Sequence, residues 1–160
     1  MNEDDEEYFN KVILEIVSKY PSERVEKMEK LIYHLNDKIN ECSGDENNFE
    51  EMNILFRIFC KKVIEYMVEN YHEYNKFVSS TQNIYVPEYI HIFCCLIEVN
   101  SSLLKDIVSY CVEKEKYQLI TNMFSCTHPN LTREMFKVFR ENLEYLTVFP
   151  KLPLNSEFKY

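Results

Sequence analysis

The chain of 160 residues contains a single glycine, Gly44, no alanine and no tryptophan. One glycine cannot build the turns that hold phosphates or activate a serine. The patterns G-x-G-x-x-G, G-x-x-x-x-G-K-[ST] and G-x-S-x-G each need at least two, for positive φ or for close backbone approach to a ligand. The same scarcity excludes collagen-like sequence and glycine-rich linkers. Arginine is also sparse, four residues against 14 lysines, and 27 acidic side chains leave a net charge of −9. Phosphate binding rests on clustered Lys and Arg. Here Lys61-Lys62 is the only adjacent basic pair and no basic stripe is visible, so neither nucleic acid nor an anionic membrane surface is an expected partner. Long apolar runs are missing too. The longest strongly apolar uncharged stretch, Tyr89 to Ile97, falls far short of the ~20 residues that span a bilayer.

What is present is an ordinary globular balance, 46% hydrophobic and 28% charged, enough for one core at this length. That core is unusual in its filling, with 11 Phe, 12 Tyr and 13 Ile. The excess of Phe, Tyr, Met, Ile, Asn and Lys over Gly, Ala, Arg and Pro is the signature of an AT-rich genome. The first seven residues, Met-Asn-Glu-Asp-Asp-Glu-Glu, are the opposite of a basic signal-peptide start, and a cytoplasmic location is expected. The six cysteines (42, 60, 94, 95, 111 and 126) could be read as three disulfides. Four of them sit in apolar helical patterns without a secretory context, so reduced thiols acting as small hydrophobes are expected.

Periodicity predicts an all-α fold, a single-domain bundle or short solenoid of about seven helices. The expected spans are 4–19, 22–42, 49–71, 87–99, 101–113, 116–126 and 130–146. Residues 1–146 would form the helical domain and 147–160 an extended tail marked by Pro150 and Pro153. The second helix shows the cleanest pattern: Val25, Met28, Ile32, Leu35, Ile39 and Cys42 step by three and four, as in a packed bundle helix. Ser22 is the expected cap of that helix. Residues 43–48 read as the one plain loop of the first half, and 72–86 as irregular or a short helix.

Candidate chemistry is thin. His91 and Cys95 are i, i+4 on one helix, and Cys126 with His128 could complete a tetrahedral metal set. No C-x-x-C or H-x-x-x-H spacing supports it, so no metal and no other cofactor is expected. No Cys–His pair is singled out as a nucleophile and base. The carboxylates Glu3 to Glu7 and Asp45-Glu46 sit at a terminus and in a loop, where they read as solvated faces. The chain is therefore expected not to be an enzyme. The candidate partner-binding residues are Tyr66, Tyr71, Tyr74, Phe77, Tyr85 and Tyr89, because tyrosine joins a large contact area to a polar tip and is enriched at binding hot spots.

Residues Tyr117 to Leu143, with a helix ending in Met123-Phe124, a His128-Pro129-Asn130 turn and a second helix with Arg133 near its start, resemble a step of an armadillo/HEAT helical repeat. The likeness extends at most over 87–146 and departs from the family in lacking Ala and Gly. It implies a helix stack that binds other proteins along an extended surface. Length, acidity and the apolar segment Ile90-His-Ile-Phe-Cys-Cys-Leu-Ile97 are similar to the poxvirus Bcl-like helical proteins, as is the run Cys60 to Tyr74. That resemblance implies an inhibitor of host apoptosis or inflammatory signalling, with a groove for an amphipathic helix. The Asn-Trp-Gly-Arg signature of that family's cellular members is absent. The expected function is a protein-binding adaptor or a small subunit of a larger cytosolic assembly, with protein partners.

Overall fold

A computed structural model describes residues 3–42, 44–79 and 84–155. Among these are seven α-helices, two 3₁₀ helices and two short strands, so the fold is all-α apart from one small hairpin. The chain divides within its third helix into two compact units, residues 1–66 and 67–160.

The first unit holds α1 (Glu3–Val17), α2 (Pro21–Glu41) and most of α3 (Glu46–Asn70). Phe9, Ile13 and Val17 of α1 recur at i, i+4 and i+8, and all are buried, so α1 presents one apolar stripe inward. The three-and-four seam of α2 is realised. Val25, Met28, Ile32 and Ile39 are buried, while Leu35 and Cys42 are half-buried at its edges. The Phe9 ring lies 5.5 Å from Phe59 of α3, and Lys62 of α3 pairs with Glu6 at 3.9 Å. On the solvent side α2 is laced by i, i+4 pairs, of which Glu26–Lys30 is the tightest at 2.8 Å. Two boundaries differ from expectation. Tyr20 rather than Ser22 occupies the N-cap of α2, because Pro21 supplies the first turn, where its missing N–H costs nothing. The loop expected over 43–48 is cut short, because Asp45 accepts from the Asn48 N–H and amide and starts α3 at Glu46.

The second unit runs η1 (Tyr71–Glu73), β1 (Phe77–Ser79), β2 (Tyr85–Pro87), α4 (Glu88–Val99), α5 (Leu103–Glu113), α6 (Tyr117–Ser125), α7 (Pro129–Glu141) and η2 (Leu143–Lys151). Of the segment expected at 72–86 to be irregular or a short helix, 72–73 belong to the short helix η1 and the strands of a hairpin occupy 77–79 and 85–86, while 80–83 lie outside the described residues. The hairpin's antiparallel register pairs Phe77 with Pro87, Val78 with Val86 and Ser79 with Tyr85. Three residues per strand are too few for an alternation signal. Backbone bonds from Glu88 N to Lys76 O (2.9 Å) and Tyr89 N to Tyr74 O (3.0 Å) then lead the strand directly into α4.

Helix α4 is the apolar centre of this unit, with eight of its twelve residues buried. A wholly enclosed polar link of α4 to α6 runs from Asn122 Nδ2 to Tyr89 Oη (3.1 Å), and Gln118 Nε2 donates to Asn122 Oδ1 (3.1 Å). Successive helices pack on one another, α4 on α5, α5 on α6 and α6 on α7, and α5 also lies against α7.

Helix α5 ends in a Schellman motif. Lys116 N donates to Cys111 O at 2.8 Å and Glu115 N to Val112 O at 3.1 Å, with Glu115 left-handed at φ 56°. Helix α7 stops five residues before the expected end, because Asn142 Nδ2 takes the Val138 carbonyl at 2.8 Å and the backbone turns there. The expected extended tail from 147 is likewise corrected, since η2 carries the chain to Lys151 and Val148 is buried. Extended backbone starts at Leu152, and residues 156–160 of the expected tail lie outside the described residues. Thr121 Oγ1 donates to Pro153 O (3.0 Å) and Gln118 Nε2 to Asn155 O (3.1 Å), tying 153–155 down onto α6.

Two stability predictions follow from these geometries. Glu115→Gly removes the Cβ crowding of a left-handed residue and raises stability by roughly 0.5–1 kcal/mol, read as a higher urea midpoint. Asn122→Leu takes the donor from Tyr89 inside the core and lowers stability by about 1–3 kcal/mol in the same measurement.

Candidate functional site

The six aromatic residues singled out in the sequence divide by burial. Tyr71, Tyr74 and Tyr89 are core residues of the second unit, which corrects their assignment to a binding surface. Tyr89 stacks edge-on against Tyr71 (5.4 Å) and Phe93 (6.0 Å) and accepts from Asn122, so its polar tip is satisfied locally. Tyr66 is half-buried on α3 in the first unit. Only Phe77 and Tyr85 are exposed. The hairpin register puts them on one face in diagonal positions, where large rings can meet a common partner.

A larger exposed apolar face, not anticipated from the sequence, is built by α7 and η2. Helix α7 buries Leu131, Met135, Val138 and Phe139. At 100° per residue the opposite arc, about 100° wide, holds Arg133, Phe136, Lys137 and Arg140. All four are exposed, and Phe136 keeps 56% of its surface in solvent. Phe136 rests on Phe124 of α6 at 5.1 Å between centroids. Phe124 in turn meets Phe139 at 5.0 Å, and Phe139 meets Phe149 at 5.0 Å and Tyr145 at 5.5 Å. Tyr145 is itself hydrogen-bonded to Ser109 of α5. Leu143, Leu146 and Phe149 of η2 extend the apolar surface beyond the end of α7, with Leu143 69% exposed. A helix lying on its own core shows apolar residues singly on its outer side. A row of phenylalanines and leucines over a rigid aromatic base is instead the composition of a contact surface.

The charge on this face differs from that of the chain. Arg133, Lys137 and Arg140 fall at i, i+4 and i+7 and align on one side of α7, although no basic stripe is visible along the linear sequence. Among the described residues none of the three forms an ion pair. Arg133 Nη2 donates only to Asn130 Oδ1 (3.1 Å), a neighbour on the same turn. Glu134 and Glu141 border the arc along its Lys137 edge, and Glu144 lies in the first turn of η2. The signal for this surface was present in the sequence as Arg133–Phe136–Lys137–Arg140 spacing. It becomes readable only once Leu131, Met135 and Val138 are known to face inward.

Of the four residues considered as a metal set, His91 and Cys95 bring ligand atoms within 4.8 Å of one another, while among the described residues Cys126 and His128 join no three-ligand cluster with them. Cys126 Sγ instead contacts Met123 O at 3.3 Å and Thr132 Oγ1 at 4.0 Å, and His128 Nδ1 accepts from Leu131 N (3.4 Å) as the N-cap of α7. The six cysteines are free thiols. Burial pushes the Cys94, Cys111 and Cys126 thiols up, with Cys126 and Glu98 adding to the effect at Cys94. A thiol held protonated is a poor nucleophile. Burial, followed by repulsion from His91, holds His128 below the usual imidazole range. Among the described residues no helix is long and apolar enough to cross a membrane.

Comparison with protein-family models, with curated proteins and with solved structures finds no match to this chain.

The shifted groups set a pH profile of stability. The raised thiols keep their protons in the folded state while the unfolded chain releases them, so stability falls as pH rises above about 8.5. His128 has the opposite limb: the unfolded chain takes up a proton that the folded state resists, so stability falls as pH drops through about 6.5. Urea midpoints across pH measure both limbs. His128→Asn, which keeps a capping acceptor without a titrating group, flattens the acid limb near neutrality.

Proposed function

We propose that this chain is a non-enzymatic, helical protein-interaction module, an adaptor or small subunit of a cytosolic assembly, that docks through the face formed by α7 and η2. The observation that carries this reading is the exposed pair Phe136 and Phe149 seated on the Phe124–Phe139 stack, with Leu143 and Leu146 of η2 also exposed. Full burial of such a side chain contributes about 1.5–3 kcal/mol, and these two phenylalanines and two leucines still expose 41–69% of their surface, so covering them supplies around half of that each and together a moderate anchor. Their base is already rigid, so little ordering is required on binding. Buried, protonated thiols and a capping histidine leave this surface the stronger candidate for function over any nucleophile or acid–base pair.

The arrangement within residues 67–160 has features of both a repeat-type scaffold and a groove-forming bundle. Helices α4 and α5 make one hairpin and α6 and α7 the next, with α5 against α7. Stacked hairpins of that kind display one helix of each pair along a continuous surface. The stacking supports the armadillo/HEAT-like reading, and the buried, central α4 supports the alternative, a host-directed Bcl-like inhibitor.

The test is site-specific photocrosslinking in the native cell, with a benzophenone amino acid replacing Phe136 or, as a control, exposed Lys105 of α5. Discrete adducts at position 136 and none at 105 are expected. No adduct at 136, or the same adducts at both positions, would overturn the proposal.

A further inference from the structure

We infer that the partner segment is acidic: the solvent arc of α7 takes a peptide that carries carboxylates on either side of an apolar side chain. This rests on the docking face proposed above and adds the chemistry of its occupant.

Charge complementarity surrounds a fixed apolar anchor. Arg133 and Arg140 are seven residues apart, about 10.5 Å along the helix axis, and Phe136 lies between them with Lys137 beside it. The three cations share no ion pair with the described residues, and Arg133 and Arg140 offer guanidinium forks suited to bidentate carboxylate binding. A partner with two carboxylates spaced about 10 Å would meet both arginines while its apolar residue covers Phe136. Such spacing occurs at i, i+7 on a helix or i, i+3 on an extended strand.

A polyanion fits the same surface less well. Nucleic acid presents one charge per about 1.7 Å of duplex and is held by long rows of cations. Here the basic arc is only three cations long, with Glu134 and Glu141 along its Lys137 edge in a chain of net charge −9, so an extended polyanion finds no further cations on α7 and meets carboxylates on that side. A short acidic segment does not.

Fluorescence anisotropy with the whole chain tests this, using a labelled peptide of roughly fifteen residues that carries Glu at i and i+7 around a central leucine. Gln-for-Glu and Lys-for-Glu versions, single-stranded DNA and phosphatidylserine vesicles serve as competitors. The Glu peptide is expected to bind, to weaken as salt rises from about 50 to about 300 mM, and to lose about tenfold or more in affinity on the double variant R133E/R140E. The Lys peptide is expected to gain affinity on that double variant. Phe136→Ser weakens both peptides, and unchanged thermal unfolding of the variants excludes misfolding as the cause.

Equal binding of the Glu, Gln and Lys peptides would overturn the inference. So would indifference to R133E/R140E, or tighter binding of DNA or vesicles than of the Glu peptide. Crosslinks at position 136 to a discrete partner, together with failure of the Glu peptide, would remove the acidic partner and leave the docking face standing. Absence of crosslinks would remove both.

Discussion

Phe139 is the side chain on which the second unit turns. Its ring meets Phe124 of α6 and Phe149 and Tyr145 of η2 at 5.0 to 5.5 Å between centroids, and Phe124 and Phe149 also lie 6.1 Å apart. With no alanine and a single glycine, outside the helices at Gly44, the helices meet largely through rings and branched chains. Aromatic pairs in tilted or edge-on contact contribute about 0.5–1.5 kcal/mol beyond their buried area. Here they also fix position. Phe124, held by Phe139, is the platform for Phe136, so the outward aspect of α7 is set by what lies beneath it. The proposed docking face therefore inherits its rigidity from the core.

A second constraint lies on the other side of α6. Asn122 is fully buried, and its amide reaches Tyr89 of α4 while Gln118 reaches Asn122. Gln118 and Thr121 then hold the carbonyls of Asn155 and Pro153. One short helix thus uses its apolar side on α7, its polar side on α4, and its rim on the C-terminal segment. This explains how nine residues remain ordered when a helix that short is unstable alone.

Much of this architecture was legible in the sequence, for reasons that differ by element. The seam of α2 could be read because its apolar residues keep strict three-and-four spacing and nothing polar interrupts them. Cys60, Cys95 and Cys111 were legible as core because each falls on an apolar helical stripe, and all three are buried. The hairpin was not, since three-residue strands are too short to show a period. Tyrosines 71, 74 and 89 misled because tyrosine serves core and surface equally, and the deciding partner of Tyr89 is Asn122, 33 residues away in the chain. The face of α7 was hidden for a related reason. Phe136 and Phe139 are both apolar and only three apart, and tertiary packing alone determines which of them turns inward. The end of α7 was set by one side-chain bond from Asn142, a local competition that helix propensity does not reveal.

The mixture of an acidic molecule with a small cationic arc has a kinetic meaning. At physiological ionic strength charges farther apart than about 8 Å are largely screened, so an approaching acidic protein feels the net −9 only weakly and from a distance as repulsion. Attraction from Arg133, Lys137 and Arg140 takes over only inside that range. Encounter would then be slow by the standard of electrostatically steered pairs, and discrimination would reside in the last few ångströms, where a partner with its carboxylates in the wrong place is turned away before its apolar residue can seat.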